Sequence, residues 1–345
     1  DVAPSRGLGD VYKRQIKGFA VYCLPAAALK IYRTTEAVMY YFIINPHSRS
    51  GYGFKVWKRI EKLLKLECVE YRAFLTERPG QAAEYADQLT KGCQEPRIIV
   101  VVGGDGTVNE VLDGLSFCNT ITLGYIPTGS GNDLARSLRL PRSPRKCLKK
   151  VLRPKYHKLM DYGVVTYGDD VVKHRRFAVS AGIGLDAAVC HNLLYSRMRP
   201  LFNRIRMQKM NYILVGLKQY LKAKPTKGYM LLDGSKKVEF NYIYFISAHI
   251  HPFEGSGFRF APKADCSDGK LEVCAVSHAS KLQVLFILGR SLLKRSHNKG
   301  LRTYQCREVQ IHTDRPMAVH VDGESCLYQS DLHIRCIERK VRIIV

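Results

Sequence analysis

The stretch spanning residues 97–116 constrains the fold of this chain more than any other part of the sequence. Residues 98–102 are β-branched and lack polar alternation, which is typical of a parallel strand covered on both faces. Glycine, glycine, aspartate and glycine follow directly. Apolar residues then recur at the spacing of one helical face, at Val108, Val111, Leu112 and Leu115. The sequence therefore predicts a buried strand that turns through glycine into a helix.

The glycine turn of this stretch has the character of an anion site. Free N–H groups at a helix start attract phosphate, and Gly103, Gly104 and Gly106 let the backbone approach it closely. Asp105 would repel a phosphate unless a cation lay between them, so it predicts Mg²⁺. The motif is neither G-x-G-x-x-G nor a Walker A loop, and an ordinary turn is the alternative.

Length and composition bound the class of protein. With 345 residues, 46% of them hydrophobic, the chain is expected to form two well-packed domains. Eleven cysteines without metal-ligand spacing predict reduced thiols in a cytosolic protein. The net charge of +25 predicts phosphates, nucleic acid or an anionic membrane as partner. The longest apolar segment, residues 18–29, is shorter than the roughly 20 residues that a spanning helix needs.

Residues 1–38 lack clear periodicity and are expected to be a leader outside the fold, with a signal peptide as the alternative. From Met39 onward, strand and helix patterns alternate. The predicted strands are residues 39–45, 68–75, 98–102 and 121–126. This alternation predicts an α/β domain with a parallel sheet, whose ligands bind at the carboxyl ends of the strands.

Polar motifs stand at those carboxyl ends. They are N-P-H-S-R-S-G from Asn45, Thr76, G-G-D-G-T from Gly103, and P-T-G-S-G-N-D ending at Asp133. Their common placement predicts a single binding rim. Turn formation by Asn45 and Ser48, and capping of the next helix by Asp133, are the alternatives.

These motifs, with K-L-M-D-Y-G around Asp161 and V-D-G-E ending at Glu324, resemble the diacylglycerol kinase catalytic family. The resemblance is to its bacterial lipid kinases, relatives of sphingosine and ceramide kinases, and it covers residues 40–345. G-G-D-G-T alone is shared with NAD kinases and phosphofructokinases, but its pairing with P-x-G-[ST]-x-N-D is more specific. The resemblance implies a three-layer α/β ATP-binding domain at residues 39–158 and a β-rich lipid-substrate domain at 159–345.

The resemblance also implies roles for individual residues. Asp105, Asp133 and Asp161 match the family's aspartate network around Mg²⁺, and Arg49, where many relatives carry a smaller residue, is expected to contact phosphate. Carboxylates that hold Mg²⁺ opposite a glycine cradle supply the positioning and charge neutralisation that phosphoryl transfer needs. The expected nucleotide contacts are Asn45, Pro46, Ser48, Arg49, Gly51, Thr76, Gly103, Gly104, Asp105, Gly106, Thr107, Asn109 and Ser130.

Beyond Lys158, strand patterns joined by turns predict an antiparallel, β-sandwich-like domain with a helical insertion. Gly168-Asp169 and Asp233-Gly234 are hairpin signals. The predicted strands are residues 159–167, 171–180, 229–232, 238–248, 271–277, 308–313 and 326–336. By resemblance, the last strand, residues 339–345, is expected to return to the first domain.

Glu324 is the candidate general base, because a lipid hydroxyl has to lose its proton as it attacks the γ-phosphate. A plain Asp322-Gly323 turn is the alternative. The resemblance further implies a structural Mg²⁺ held by Asp268 with the backbone carbonyls of Asp265 and Lys270. A metal-free Asp-Gly hairpin is the alternative there.

The insertion at residues 187–228 contains nine Lys or Arg and no Asp or Glu. Its apolar residues Met210, Ile213, Leu214, Leu217 and Leu221 fall on one helical face. This pattern predicts a basic amphipathic helix that docks on an anionic membrane, with a core-facing helix as the alternative.

These features predict an ATP- and Mg²⁺-dependent lipid kinase, peripheral at the cytoplasmic face of the membrane, with diacylglycerol as the expected acceptor. Sphingoid bases, ceramide, other acylated glycerols and isoprenoid alcohols are alternative lipid substrates. A soluble NAD kinase and a nucleic-acid binder are the competing interpretations. No helix-turn-helix, zinc spacing or RNA-binding aromatic motif supports the nucleic-acid binder, so no nucleic-acid partner is expected. A homodimer is left open.

Overall fold

The computed structural model describes residues 39–117, 120–168, 171–194, 208–293 and 300–345. The expected leader, residues 1–38, lies outside the described residues, and so does Asp169 of one hairpin signal. The helices are α1 Ser48–Leu66, α2 Gln81–Thr90, α3 Asp105–Gly114, α4 Asp133–Ser137, α5 Pro144–Leu152, α6 Leu185–Leu194, α7 Gln208–Lys222 and α8 Lys281–Leu292. The strands are β1 Tyr40–Ile44, β2 Tyr71–Leu75, β3 Arg97–Gly103, β4 Ile121–Pro127, β5 His157–Tyr167, β6 Lys173–Phe177, β7 Ser180–Gly184, β8 Thr226–Leu232, β9 Lys236–His249, β10 Leu271–Ser277, β11 Leu301–Cys306, β12 Glu308–Val321 and β13 Glu324–Ile344.

Four parallel strands, in the order β2-β1-β3-β4, organise the first half of the chain. Successive residues of β3 point to opposite faces. Ile99 and Val101 enter the core that includes α2 and α3, whereas Val100 and Val102 enter the core that includes α1 and α5. Helices therefore cover both faces of β3, which explains its uninterrupted apolar run. The glycine turn after β3 lies at the carboxyl edge of these strands.

Antiparallel strands dominate the second half. Strands β9 and β12 each pair with both β7 and β8, and β10 pairs with β9 and β11. Asp233 and Gly234, both with positive φ, make the tight turn between β8 and β9, so that hairpin prediction is confirmed. The fold is mixed α/β, with parallel strands first and antiparallel strands after them.

Several predicted strand boundaries are wrong. The predicted strand 171–180 is two strands, β6 and β7, because the N–H groups of residues 178–180 donate to the carboxylate of Asp322. The predicted strands 308–313 and 326–336 are parts of the longer β12 and β13, whose pairing is interrupted by register shifts that break polar alternation. Strand β11 and helix α8 were not predicted.

Strand β13 connects the two halves. It is 21 residues long and pairs with β12, β5 and β4. Near its end, Arg342 and Ile343 pair in parallel with Thr122 and Leu123 of β4. The strands of both halves therefore belong to one hydrogen-bonded sheet. No helix in the described part of the chain is long and apolar enough to cross a membrane.

Candidate active site

A cleft of about 310 Å³ opens where β1, β3 and β4 end, and the second half of the chain supplies its other wall. The structure thus brings together motifs that lie far apart in the sequence. The predicted site residues that line the cleft are Asn45, Ser48, Arg49, Gly104, Asp105, Gly106, Thr107, Ser130, Asp133 and Glu324.

The two glycine-containing loops of the cleft are in backbone contact. A Cβ atom on Gly104 would lie 3.0 Å from the Cα of Gly129, which is closer than side chains normally pack. The N–H of Thr128 donates to the carbonyl oxygen of Gly103 at 2.7 Å and holds the loops together. Glycine is required at both positions because a side chain would force the loops apart.

Asp105 and Asp133 present two carboxylates to one small space beside Gly131. A Cβ atom on Gly131 would lie 3.0 Å from Asp105 Oδ2 and 3.7 Å from Asp133 Oδ2. Asp105 Oδ1 accepts a hydrogen bond from the N–H of Leu134 at 3.2 Å. Desolvation raises the pKa of both carboxyls, and the nearby charge of Asp105 helps to raise the pKa of Asp133 to about 7.

Asp133 is fixed by partners from two directions. Its Oδ2 accepts a hydrogen bond from the N–H of Ser256 at 2.7 Å, and its Oδ1 forms an ion pair with Arg136. Asn132, not Asp133, is the N-cap residue of α4, and the first-turn N–H of Leu134 donates to Asp105 rather than to Asp133. The capping alternative for Asp133 is therefore wrong.

The first loop is hydrogen bonded to both glycine-containing loops. Asn45 Nδ2 donates to Thr107 Oγ1 at 3.1 Å, and Ser48 Oγ lies 2.7 Å from Thr128 Oγ1. Asn45 also shapes its own turn, since its Oδ1 accepts the N–H of His47 at 3.0 Å. Residues 49–51 have φ of +48°, +54° and +83°, a left-handed conformation that is strained for arginine and serine. This backbone leaves Arg49 at the wall of the cleft.

The cleft is acidic, although the whole chain carries a net charge of +25. Among its described lining residues, Arg49 is the one with a positive charge. The acidic lining residues are Asp105, Glu110, Asp133, Glu254, Asp322 and Glu324. Such a set repels an anion unless a cation accompanies it, and carboxylate oxygens are the ligands that Mg²⁺ prefers. The donor set therefore fits Mg²⁺.

Glu324 reaches the glycine turn from the second half of the chain. It begins β13 directly after Asp322 and Gly323, whose φ values of +48° and +86° form a tight turn. A Cβ atom on Gly106 would lie 3.0 Å from Glu324 Oε1. The turn that was the alternative explanation is therefore present, and it directs Glu324 toward the cleft.

Asp322 anchors that turn. Its carboxylate accepts hydrogen bonds from the N–H groups of Ala178, Val179 and Ser180 at 2.7, 2.8 and 3.0 Å. Burial raises the pKa of Asp322 to about 6 even though these donors favour its charged form. Asp322 was not among the predicted site residues.

Asn109, an expected nucleotide contact, is fully buried and does not line the cleft. Its Nδ2 donates to the carbonyl oxygen of Arg176 at 2.7 Å and to Asp322 Oδ2 at 3.0 Å. Its Oδ1 accepts a hydrogen bond from Arg175 Nη2 at 2.8 Å. The side chain thus holds helix α3 against the turn that carries Glu324.

Other expected site residues also lie off the cleft wall. Asp161 is buried, and its carboxylate accepts hydrogen bonds from the N–H groups of Gly269 and Arg339 at 2.8 and 2.7 Å. Burial raises its pKa. The structure therefore brings Asp105 and Asp133 together but places Asp161 elsewhere. The remaining expected contacts that do not line the cleft are Pro46, Gly51, Thr76 and Gly103.

The loop proposed to hold a structural Mg²⁺ has internal hydrogen bonds of its own. Asp268 Oδ1 accepts the N–H of Lys270 at 3.0 Å, and Asp265 Oδ1 accepts the N–H and the hydroxyl of Ser267 at 3.1 and 2.7 Å. Gly269 has a φ of +71°. These contacts describe an Asp-Gly turn, and the metal at Asp265, Asp268 and Lys270 stays a prediction.

A cluster of Asp186, Glu254 and His320 adjoins the cleft, which Glu254 also lines, and it was not predicted because its members come from three distant segments. His320 Nε2 lies 3.4 Å from Asp186 Oδ2 and 3.3 Å from Glu254 Oε1. Its Nδ1 accepts the N–H of Gly323 at 3.2 Å, which places the proton of a neutral imidazole on Nε2. In that tautomer the Nε2 proton faces the carboxylates of Asp186 and Glu254.

Comparisons with known proteins show which family this chain resembles. The diacylglycerol kinase catalytic domain matches residues 39–165, and the YegS C-terminal NAD kinase beta sandwich-like domain matches residues 179–345. A protein of Bacillus subtilis (strain 168) named "Putative lipid kinase YtlR" is 30% identical over 289 residues, 83% of this chain and 93% of its own. The "Diacylglycerol kinase" of the same organism is 25% identical over 293 residues, 82% of this chain and 88% of its own. These matches are to lipid kinases of the diacylglycerol kinase type. This chain belongs to that family.

A solved structure has the same fold. The crystal structure of a diacylglycerol kinase from Bacillus anthracis str. Sterne superposes with a TM-score of 0.65 at 18% identity. The match covers 89% of this chain and 96% of the other.

Proposed function

We propose that this protein transfers the γ-phosphate of ATP to the hydroxyl of a membrane lipid, with diacylglycerol as the acceptor and phosphatidic acid as the product. In this proposal residues 39–158 are a three-layer α/β domain that binds ATP, and residues 159–345 bind the lipid. The observation that carries it is the position of Glu324 Oε1 beside Gly106, because this puts a carboxylate of the second half against the glycine turn of the first.

In this proposal different residues of the cleft have different roles. The N–H groups around Gly104 and Gly129 form the phosphate cradle, and Arg49 supplies the positive side chain at its wall. Asp105 and Asp133 are the residues that would hold Mg²⁺. When bound, this ion neutralises phosphate charge.

Glu324 acts as the general base. It takes the proton of the lipid hydroxyl as the hydroxyl oxygen bonds to the γ-phosphorus. The bond from that phosphorus to the β–γ bridging oxygen breaks, and ADP leaves with the electron pair. Asp322 and Asn109 keep the Glu324 turn at the correct distance from the glycine turn.

Because the proposed substrate is a membrane lipid, the enzyme acts as a peripheral protein at the anionic cytoplasmic surface of a membrane. The net charge of +25 supports this, since such a surface attracts basic proteins. The acidic cleft supports phosphoryl transfer over nucleic-acid binding, because a nucleic acid would be repelled from it.

The test is a transfer assay with labelled ATP, Mg²⁺ and separate vesicles that contain diacylglycerol, a sphingoid base or ceramide, with NAD as a soluble acceptor. Label in the diacylglycerol-derived phosphatidic acid supports the proposal. Label found only in another lipid would mean that this lipid, and not diacylglycerol, is the acceptor. Label found only in NAD would contradict the proposal that the protein is a lipid kinase. The Glu324→Gln variant is the control for enzyme-dependent transfer.

A further inference from the structure

Helix α8 carries a stripe of exposed apolar side chains. Leu282 and Phe286 expose 79% and 62% of their surface, Leu285 exposes 47%, and Leu293, the residue that caps the helix at its C-terminus, exposes 69%. At 100° per residue these four positions fall on one face of the helix. The opposite face carries Val284, Ile287 and Ser291, which are fully buried. This helix therefore uses one apolar face for the core and leaves a second one uncovered.

Helix α7 has the same two-sided character. Its exposed face carries Leu214, Leu217 and Leu221, and Tyr220 on another face is buried. The core-facing alternative does not apply to these three leucines. Met210 and Ile213, predicted for the same face, have side chains outside the described residues.

Both helices cover the same side of the sheet. Tyr220 of α7 and Val284 and Ile287 of α8 belong to one core cluster, which includes Cys274 and Val276 of β10. The intervening β10 residues, Val273 and Ala275, belong to the core on the other side. The uncovered faces of α7 and α8 therefore both point away from the sheet on one side of the protein.

The charges around these faces favour an anionic occupant. Neither α7 nor α8 contains an acidic residue. Lys218, Lys222 and Lys281 are exposed on them. A second copy of this chain docked face to face would bring these positive charges together, which is unfavourable in the low dielectric of an interface. An anionic lipid surface accepts both the apolar side chains and the lysines.

Helix α6 relates this surface to the cleft. Its Cys190 and Leu193 line the cleft, whereas Leu185 and Ala188 on another face line a second cavity of about 180 Å³. That cavity is bordered by Lys222 of α7 and is walled mainly by apolar side chains. One helix therefore separates the cleft from an apolar cavity at the edge of α7.

We propose that the α7–α8 surface, formed by Leu214, Leu217, Leu221, Leu282, Leu285, Phe286 and Leu293, inserts into an anionic membrane leaflet. This inference rests on the proposed lipid kinase function, because it specifies how the enzyme meets its substrate. It extends the predicted docking region, residues 187–228, to α8, which lies outside that region.

The test measures sedimentation of the full chain with vesicles of phosphatidylglycerol and phosphatidylcholine, without ATP. The double variant Leu282→Gln/Phe286→Gln should reduce binding to anionic vesicles about tenfold or more. The matched control is Leu66→Gln/Tyr156→Gln, which also removes one leucine and one aromatic ring. Leu66 and Tyr156 are 70% and 71% exposed, and neither belongs to α7 or α8. Equal binding by the two double variants overturns the proposal.

Fluorescence separates insertion from charge attraction. Trp57 is the chain's single tryptophan and is buried, so its emission should be insensitive to vesicles. Phe286→Trp should give a blue shift with anionic vesicles, whereas Leu66→Trp should not. A blue shift in neither variant, with binding abolished by salt, means electrostatic adsorption alone and overturns insertion.

Two further outcomes distinguish this inference from the function on which it rests. If transfer to every lipid fails but the α8 variants still lose vesicle binding, the docking surface stands and the proposed reaction falls. If Leu282→Gln/Phe286→Gln converts a dimer to a monomer in sedimentation velocity without changing vesicle binding, the surface is a contact between two copies of the chain. That result overturns membrane docking.

Discussion

Asn109 Nδ2 donates a hydrogen bond to Asp322 Oδ2 at 3.0 Å, so the helix behind the glycine turn is bound directly to the turn that carries Glu324. The two residues are separated by 213 positions in the sequence. Asn109 is fully buried and both ends of its amide are hydrogen bonded. This contact sets the distance between the phosphate-facing and the proton-accepting parts of the cleft.

Asn109→Ala should lower kcat more than it changes KM for ATP, because the Glu324 turn loses its link to α3. It should also lower stability by about 1–3 kcal/mol, since Arg175, the Arg176 carbonyl and Asp322 lose a buried partner. Asn192→Ala is the matched control, because Asn192 Nδ2 donates to the carbonyl oxygen of Ala188 within its own helix, α6. Steady-state kinetics and urea unfolding measure both effects. An unchanged kcat with reduced stability would mean that Asn109 is purely structural.

Glu324→Gln should reduce kcat by about 10²–10⁴-fold with little change in KM for ATP, because glutamine keeps the size of the side chain but cannot accept the proton. Glu338→Gln, a change of the same type at an exposed site, should leave kcat unaltered. The kinetics are measured with diacylglycerol in mixed micelles, which removes any effect of vesicle docking. If KM for ATP rose alone, Glu324 would contact the nucleotide and would not be the base.

The local part of the site could be predicted from the sequence because its signals are local. The β-branched run before Gly103 encodes a covered strand. The glycines at positions 104 and 129 allow two loops to come into backbone contact. Helix α8 also had a usable signal, the capping box of Ser280 and Gln283, which the structure contains. Its uncovered apolar face obscured the usual one-sided helical pattern.

The non-local part of the site could not be predicted from residue patterns. The contact of Glu324 with Gly106 depends on how β13 crosses from one half of the chain to the other. Asp186, Glu254 and His320 come from a helix, a loop and a strand, and no spacing relates them. Asp161 illustrates the reverse case, since its motif suggested the cleft but its partners, Gly269 and Arg339, hold it in the second half.

Asp105→Asn should nearly abolish turnover, with a loss of at least about 10²–10³-fold, because removing this charge removes a group that would hold Mg²⁺ against the phosphates. Asparagine can still accept the N–H of Leu134, so the fold should be retained. Circular dichroism and thermal unfolding check the fold, and Asp87→Asn, at an exposed position of α2, serves as the charge-matched control. Near-normal activity in Asp105→Asn would remove this residue from the mechanism.

The stability of the metal-free protein should fall as pH rises from about 4 to about 7, through the buried pair of Asp105 and Asp133. Burial and the charge of Asp105 raise the pKa of Asp133 from 3.8 to about 7. In that window the folded state keeps a proton that the unfolded chain has released, so raising the pH favours unfolding by up to about 1.4 kcal/mol per unit. Urea unfolding at constant ionic strength measures the slope.

Asp133→Asn should reduce this pH dependence, because asparagine does not ionise but still accepts the N–H of Ser256. The remaining slope belongs in part to Asp322, whose pKa burial raises to about 6. Mg²⁺ should oppose the effect in the unmodified protein, since a cation between the two carboxylates favours their charged forms. The rise in Tm on adding Mg²⁺ should therefore be larger at pH 8 than at pH 5, and it should be small at both pH values in Asp133→Asn. An equal Mg²⁺ effect at the two pH values, or an unchanged slope in Asp133→Asn, would show that the pair neither titrates in this range nor binds the ion.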